Sequence, residues 1–267
     1  MGIHLLTSTL EQGLAYGLLA LGVYLTFRIL DFPDLTVEGS FPLGAAVTAK
    51  LIVLGVNPFL STFFAFFAGG IAGIITGLIN TKLKIAGLLA GILTMTSLYS
   101  INLRIMGKSN IPLLRQPTII SMIKNWININ YITLLSFALI VICIKFLIDY
   151  FLFTEIGMAI RATGDNPVMI RSLGVNTDVI KIMGLSIANG LVALSGALVA
   201  QYQGFTDIGM GMGMIIIGLA SVIIGEVIIR TSKIKLATFG VVVGAVVYRM
   251  AISFALQMGF APTDLKI

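Results

Sequence analysis

The sequence has few charged residues: they make up 10% of its 267 residues, whereas a typical soluble domain carries about 25%. So few charges cannot cover a water-soluble globule of this length, which excludes an ordinary soluble protein. Histidine and cysteine are almost absent too, with one of each, His4 and Cys143. One cysteine cannot form a disulfide within the chain, and no Ser/His/Asp, Cys/His or His-Glu-x-x-His arrangement is present. We therefore expect no catalytic residues and no metal site.

Phosphate-binding and nucleic-acid-binding patterns are missing as well. The tripeptide Gly107-Lys108-Ser109 is similar to the end of a phosphate-binding loop, but that loop requires an earlier glycine at the position where this chain has Asn102. The net charge of +6 comes from basic residues that are scattered between apolar segments, which is not typical of a nucleic-acid-binding surface. We therefore expect no nucleotide, cofactor or nucleic acid to bind this chain itself.

Apolar residues, in contrast, make up 58% of the chain and occur in long stretches. A helix needs roughly 20 predominantly apolar residues to cross the hydrocarbon core of a bilayer. Eight stretches come close to this length, at residues 9–29, 39–56, 59–79, 85–106, 131–149, 179–201, 212–229 and 236–258. We therefore predict an all-α membrane protein with about eight transmembrane helices, which form a single domain over residues 1–267 and contact membrane lipid.

Basic residues in the short loops indicate how the predicted helices are oriented. Cytoplasmic loops carry an excess of Lys and Arg, and alternation of eight helices brings the most basic short loops to one side. The basic residues of these loops are Lys82, Lys84, Arg161, Arg171, Arg230, Lys233 and Lys235. We assign this side to the cytoplasm, and the long loop that contains Lys108, Arg115 and Lys124 to the outer side.

The two halves of the chain share a sequence pattern. When the sequence is shifted by 173 residues, residues 17–21 align with residues 190–194, and Phe32 and Asp34 align with Phe205 and Asp207. The aligned residues belong to the first and sixth predicted helices or directly follow them, and these helices cross the membrane in opposite directions. The alignment predicts an inverted repeat, an architecture in which transporters place the substrate pathway between the repeats.

The longest predicted cytoplasmic loop, residues 150–178, carries the signals of a short helix. Asn166 is a favourable N-cap, Pro167 favours the first helical position, and Gly174 suits the position that follows the last turn. About seven helical residues extend roughly 10 Å, which is too short to span a bilayer and too short to be stable alone in water. We therefore expect this helix to pack on a surface, either its own bundle or a partner protein.

Several segments, spread over residues 13–250, carry the motifs of a known family. In the loop these are Glu155, Gly157, Ala162, Gly164, Asn166, Leu173 and Gly174, and further segments are residues 17–22, 34–40, 89–96 and 102–107. Together they resemble permease subunits of bacterial ATP-binding-cassette importers, in the branched-chain amino acid and ribose group. Residues 34–40 are similar to the Asp-Leu-Ser-x-Gly-Ser segment of sugar permeases, with Glu38 as an extra residue. Residues 89–107 look most like permeases that are paired with tryptophan/tyrosine-type binding proteins.

The resemblance implies a type II bundle, like that of the vitamin B12 permease, in the bacterial plasma membrane. It implies a channel subunit that is not an enzyme and that imports a small solute of the amino acid class, with an aromatic amino acid as one candidate. The implied partners are a second permease copy, two ATP-binding subunits that carry ATP and Mg²⁺, and an extracellular solute-binding protein. It also implies that the cytoplasmic loop is a coupling loop that docks on the ATPase, through Glu155, Gly157, Arg161, Gly164, Asp165, Asn166, Pro167, Met169, Ile170, Leu173 and Gly174.

Polar residues inside the apolar stretches, or at the ends of the repeat-related helices, are candidates for the substrate pathway. Such groups are unfavourable in lipid and usually face the protein interior or a water-filled path. The candidates are Asp34, Glu38, Thr94, Ser97, Ser100, Asn102, Asn189, Ser195 and Asp207. The alternative for the Ser and Thr residues is that their hydroxyls bond only to backbone carbonyls of their own helix.

A secondary transporter or a channel without an ATPase partner would show the same spans and repeat. Such a protein has no need of a capped Asn-Pro helix in a long cytoplasmic loop, so this loop favours the importer. A membrane-embedded enzyme is disfavoured because intramembrane histidines and paired acids are missing.

Overall fold

The computed structural model describes residues 3–126, 131–231 and 233–259 and is almost entirely helical. The α-helices are α1 (Ile3–Val23), α2 (Val37–Val53), α3 (Pro58–Lys82), α4 (Gly87–Met106), α5 (Ile119–Trp126), α6 (Ile132–Leu152), α7 (Glu155–Asp165), α8 (Pro167–Ser172), α9 (Thr177–Gln203), α10 (Met214–Ile228) and α11 (Ile234–Gln257). A π-helix (Tyr24–Ile29) continues α1, and a short 3₁₀-helix (Ile208–Gly211) precedes α10. Two short strands, β1 (Asn110–Pro112) and β2 (Phe205–Asp207), pair antiparallel.

Each predicted apolar stretch forms one helix, which confirms the all-α membrane fold. Seven helical segments of the described residues are long and apolar enough to cross a membrane: Leu5–Ile29, Pro58–Lys82, Gly87–Met106, Ile132–Leu152, Thr177–Gln203, Ile208–Ile228 and Ile234–Gln257. The stretch at residues 39–56 forms α2, which has 17 residues and extends about 26 Å. This length is below the roughly 30 Å of a hydrocarbon core, so the count of eight spans stays a prediction.

The helix ends follow the local sequence. Asn57 caps α3 by accepting a hydrogen bond from the backbone N–H of Phe59, and Pro58 occupies the first helical position. At their C-terminal ends, α4 and α9 are each followed by a glycine in the left-handed conformation, Gly107 and Gly204. These caps turn the chain sharply where it leaves the membrane.

Helix α9 is the centre of the bundle. It packs most extensively against α3 and α2, and next against α1. These helices approach closely because glycines lie at their contacts: a Cβ on Gly44 of α2 would overlap with the backbone of Ala193, and one on Gly73 of α3 would overlap with that of Leu185. Small residues at such contacts stabilise membrane helices by allowing backbone packing.

The packing of the two halves is reciprocal. Helix α9 of the C-terminal half packs on α2 and α3 of the N-terminal half, while α1 of the N-terminal half packs on α10 and α11 of the C-terminal half. Asp34 and Asp207 also have the same local geometry, because each carboxylate accepts the backbone N–H two residues later. The inverted repeat predicts this arrangement, but the symmetry between the halves stays a prediction.

The small sheet joins the loop after α4 to the segment after α9. Asn110 pairs with Asp207, and the N–H of Leu113 donates to the carbonyl of Gly204 at 2.7 Å. Alternating spans place the C-terminal ends of α4 and α9 on the same, outer side, so this pairing agrees with the predicted topology.

Candidate functional site

A cavity of about 430 Å³ lies between the first turns of α2, the middle of α4 and the segment that follows α9. We call it the outer cavity, because the sheet of β1 and β2 borders it. Its lining residues are Glu38, Gly39, Pro42, Met95, Thr96, Tyr99, Asn102, Asp207, Ile208, Gly209 and Met212. Three predicted pathway residues, Glu38, Asn102 and Asp207, therefore meet here although they lie far apart in the sequence.

Backbone groups position the polar side chains of the outer cavity. Glu38 Oε1 accepts the N–H of Gly213 at 3.0 Å, and Asp207 Oδ1 accepts the N–H of Gly209 at 2.8 Å. Asn102 Nδ2 donates to the carbonyl of Gly39 at 3.1 Å, while its Oδ1 is buried without a partner among the described residues. The cavity thus presents the carboxylates of Glu38 and Asp207, which are hydrogen-bond acceptors.

A buried polar network crosses between the two halves beside this cavity. Asp34 is 1% exposed, and its Oδ2 accepts from Asn189 Nδ2 at 2.7 Å. Asn189 Oδ1 in turn accepts from the hydroxyl of Ser40, also at 2.7 Å. The sequence predicted Asp34 and Asn189 but not Ser40, which becomes recognisable only when α2 and α9 are packed together.

A second chain of hydroxyls continues from this network to α4. The N–H of Thr36 donates to Asp34 Oδ1, the hydroxyl of Thr36 bonds to that of Thr76 at 2.7 Å, and the hydroxyl of Thr76 bonds to that of Thr94 at 3.0 Å. Of these residues, only Asp34 and Thr94 were predicted. The hydroxyls link α2, α3 and α4 in the interior of the bundle.

The remaining predicted pathway residues lie elsewhere. Ser97 and Ser100 lie on an exposed face of α4 together with Thr96, Tyr99 and Arg104. Ser195 is buried, and its hydroxyl donates to the carbonyl of Ala15 in α1 at 2.7 Å. Ser195 therefore ties α9 to α1, and it lies outside the outer cavity.

The predicted cytoplasmic loop contains two helices, and the sequence analysis gave the bounds of the second one only. Helix α8 begins at the predicted Pro167, and its predicted N-cap, Asn166, accepts the N–H of Met169 at 3.0 Å. The additional helix α7 is capped by Thr154, whose hydroxyl accepts the N–H of Gly157 at 3.3 Å. Thr154 followed by Glu155 is a helix-start signal that the prediction overlooked.

The predicted docking residues divide into two sets. Glu155, Asp165, Asn166, Pro167, Met169, Leu173 and Gly174 are exposed, and Arg161 is half-buried. Gly157 and Ile170 are buried, and a Cβ on Gly164 would overlap with the carbonyl of Ile29 at the end of the π-helix. These last three residues hold the loop against its own bundle, so a partner has direct access mainly to the first set.

Comparison with known proteins places the chain in a family. Residues 5–266 match the family described as "Branched-chain amino acid transport system / permease component". The tyrosine transport system permease protein of Clostridioides difficile is 45% identical over 97% of this chain and 86% of the relative. An uncharacterized protein of Rickettsia prowazekii is 38% identical over 99% and 94% of the two chains. The autoinducer 2 import system permease protein LsrC of Yersinia pseudotuberculosis is 26% identical over 86% of this chain and 62% of the relative.

These matches confirm the predicted class. The chain is a multi-pass protein of the bacterial plasma membrane and the permease of an ATP-binding-cassette importer, a transporter that also includes an ATPase and a solute-binding protein. ATP hydrolysis takes place on the separate ATPase subunit, so this chain is not an enzyme. On the strength of the match over residues 5–266, the chain belongs to the family of permease components of branched-chain amino acid transport systems.

Proposed function

We propose that this chain, paired with a second copy, forms the transmembrane route of an importer for an aromatic amino acid. The observation that carries the proposal is the outer cavity, whose two carboxylates lie beside Tyr99 and two methionines. In the predicted topology the cavity faces the side where a solute-binding protein would deliver its substrate. A relative that is 45% identical is named a tyrosine transport system permease, which supports this substrate class.

The charge of the outer cavity favours the amino group of such a substrate. Glu38 and Asp207 bring two carboxylates to the cavity, and its lining contains no lysine or arginine among the described residues. An ammonium group satisfies acceptors of this kind through charge-assisted hydrogen bonds. Met95, Tyr99 and Met212 offer a polarisable apolar surface, which suits an aromatic side chain.

The exposed polar face of α4 supports a second permease copy. Tyr99, Ser100 and Arg104 are exposed and have no hydrogen bond or ion pair within the described part of the chain. Polar side chains in a membrane helix usually face protein or a water-filled path, because lipid offers them no partner. We infer that two copies meet near this face and enclose the route between them.

We further propose that the loop of α7 and α8 transmits the movement of the ATPase. Val168 and Leu173 are 73% and 68% exposed, so they can pack on a partner protein. Gly164 lies against the carbonyl of Ile29, and the chain leads within five residues from Ile29 to the buried Asp34. A push on α7 therefore has a short covalent path to the polar network beside the outer cavity.

The test is substrate binding to the purified permease–ATPase complex without the solute-binding protein, because that protein would impose its own specificity. Glu38→Gln keeps an acceptor for the Gly213 N–H but removes the charge. We expect binding of labelled tyrosine to weaken about 10- to 100-fold, the range for losing one charge-assisted hydrogen bond. The matched control is Asp31→Asn, which removes an exposed carboxylate outside the cavity and leaves binding unchanged. Equal affinity in wild type and Glu38→Gln would remove the ammonium site from the proposal.

A further inference from the structure

A second concavity lies at the opposite end of the molecule, which the predicted topology assigns to the cytoplasm. It has a volume of about 830 Å³ and is formed by the π-helix, the last turn of α10 and the first turn of α11. We call it the basic pocket. Its lining residues are Tyr24, Arg28, Glu226, Ile229, Arg230, Thr231, Lys233, Ile234 and Ala237.

The charges of the basic pocket are unbalanced. Its single acid, Glu226, accepts a hydrogen bond from Arg28 Nε at 2.8 Å, so these two residues neutralise each other. Arg230 and Lys233 have no ion pair among the residues that the structure describes. Two positive charges therefore remain for an anionic group.

Two further features offer hydrogen bonds to the same anion. No side chain caps the N-terminus of α11, which begins at Ile234 in the wall of the pocket. The positive end of this 24-residue helix favours negative charge, above all the oxygens of a phosphate. Tyr24 is 6% exposed, and its hydroxyl has no hydrogen-bond partner among the described side chains and backbone groups. Tyr24 lines the basic pocket, so its hydroxyl is placed to donate to an anionic group bound there.

Exposed apolar residues flank the basic residues of the pocket along α10 and α11. Val227 and Ile228 of α10 and Leu236 and Phe239 of α11 are exposed large hydrophobic residues that flank the basic residues within one or two helical turns. A free phosphate would use only the donors, whereas a phospholipid would also cover these apolar side chains with its acyl chains. Basic pockets between helix ends on the cytoplasmic side are suited to anionic headgroups.

We propose that the basic pocket binds the phosphate-containing headgroup of an anionic phospholipid from the cytoplasmic leaflet. Arg230 and Lys233 supply the charge, and the N-terminus of α11 and Tyr24 supply hydrogen bonds. Arg28, which belongs to the π-helix, forms part of the wall of the pocket. A bound lipid would hold the end of the π-helix to the loop between α10 and α11. The adjacent Ile29 contacts Gly164 of the cytoplasmic loop, so the lipid would stabilise the surface on which α7 rests.

Native mass spectrometry of the purified permease–ATPase complex tests this proposal, with phosphatidylglycerol and phosphatidylcholine as probes. The wild type retains phosphatidylglycerol in preference to phosphatidylcholine. Each basic residue near a lipid surface contributes about fivefold to binding, so Arg230→Gln combined with Lys233→Gln lowers phosphatidylglycerol retention roughly 25-fold. The control, Lys82→Gln with Lys84→Gln, removes the same charge from another cytoplasmic loop and leaves retention unchanged.

Two more measurements distinguish the lipid from other sources of the same signal. Tyr24→Phe removes only the hydroxyl, so the protein folds as before and phosphatidylglycerol retention falls a few-fold. Inorganic phosphate at millimolar concentration leaves lipid retention unchanged if the acyl chains contribute. Complete displacement by phosphate, equal losses in the pocket and control variants, or loss of the ATPase with unchanged lipid retention would each overturn the proposal.

Discussion

Asn189 gives the sharpest test of the packing between the two halves. Its side chain donates to Asp34 Oδ2 and accepts from Ser40, both at 2.7 Å, so Asn189→Ala removes two bonds between elements at once. In membrane proteins an interhelical hydrogen bond contributes about 0.6–1.7 kcal/mol, which gives roughly 1–3 kcal/mol for the pair. The carboxylate of Asp34, left buried without that donor, adds about 1–3 kcal/mol. We expect the free energy of unfolding to fall by about 2–6 kcal/mol.

The assay is an SDS titration of the purified chain in mixed micelles, with Ser195→Ala as the matched control. Ser195 is as buried as Asn189 and lies on the same helix, but it makes one bond to a backbone carbonyl. Its removal should lower the free energy of unfolding by about 1 kcal/mol. If Asn189→Ala destabilises the protein no more than Ser195→Ala does, the network between the halves is not what holds α9 in place.

Three other predictions concern coupling, topology and the pathway. Leu173→Asp places a charge on the surface proposed for the ATPase, so stimulation of ATP hydrolysis by loaded binding protein should be lost while membrane insertion survives; normal stimulation would contradict the docking role. In a chain without Cys143, a cysteine at Asn57 should react with an impermeant thiol reagent in intact cells and a cysteine at Asp165 should not, whereas labelling at Asp165 would reverse the topology. Asp207→Asn should mainly weaken substrate binding from the outside, and Asp34→Asn should leave docking of the binding protein intact but slow transport; identical defects would show that the repeat does not organise the pathway.

The long helices were predictable because the apolar stretches that form them must cross lipid. The first and sixth stretches, residues 9–29 and 179–201, lie inside α1 with its π-helix and inside α9. The π-helix itself was not predicted, since Tyr24–Ile29 has no proline or glycine that marks a change in helical pitch. Helix α5 and the two three-residue strands were not predicted either, because their hydrophobic patterns are too short to be distinguished from those of a loop.

The polar site was predictable residue by residue but not as a set of contacts. Asn189 stands out because it is polar within an apolar stretch, and Asp34 because it matches Asp207 in the repeat. Their partners Thr36, Ser40 and Thr76 do not, because a Ser or Thr in a membrane helix can satisfy its hydroxyl on the preceding turn. Which hydroxyl bonds across helices depends on how the helices are packed, and the sequence of one chain does not contain that information directly.

The cytoplasmic loop shows the same limit. Its capping residues predicted α8 correctly, because Asn166 and Pro167 act locally. The inward orientation of Gly157 and Gly164 depends on how close α7 lies to the bundle, which a local pattern cannot reveal. A motif residue can therefore belong to the support of a docking surface without touching the partner.

Uptake into proteoliposomes tests the central claim most directly. Vesicles that contain this permease and its ATPase, with ATP inside and tyrosine-loaded binding protein outside, should accumulate labelled tyrosine, and replacing ATP with ADP should stop accumulation. Accumulation of tyrosine in vesicles that contain this chain alone, driven by an ion gradient and unaffected by ATP, would contradict the account, because the chain would then be a secondary transporter.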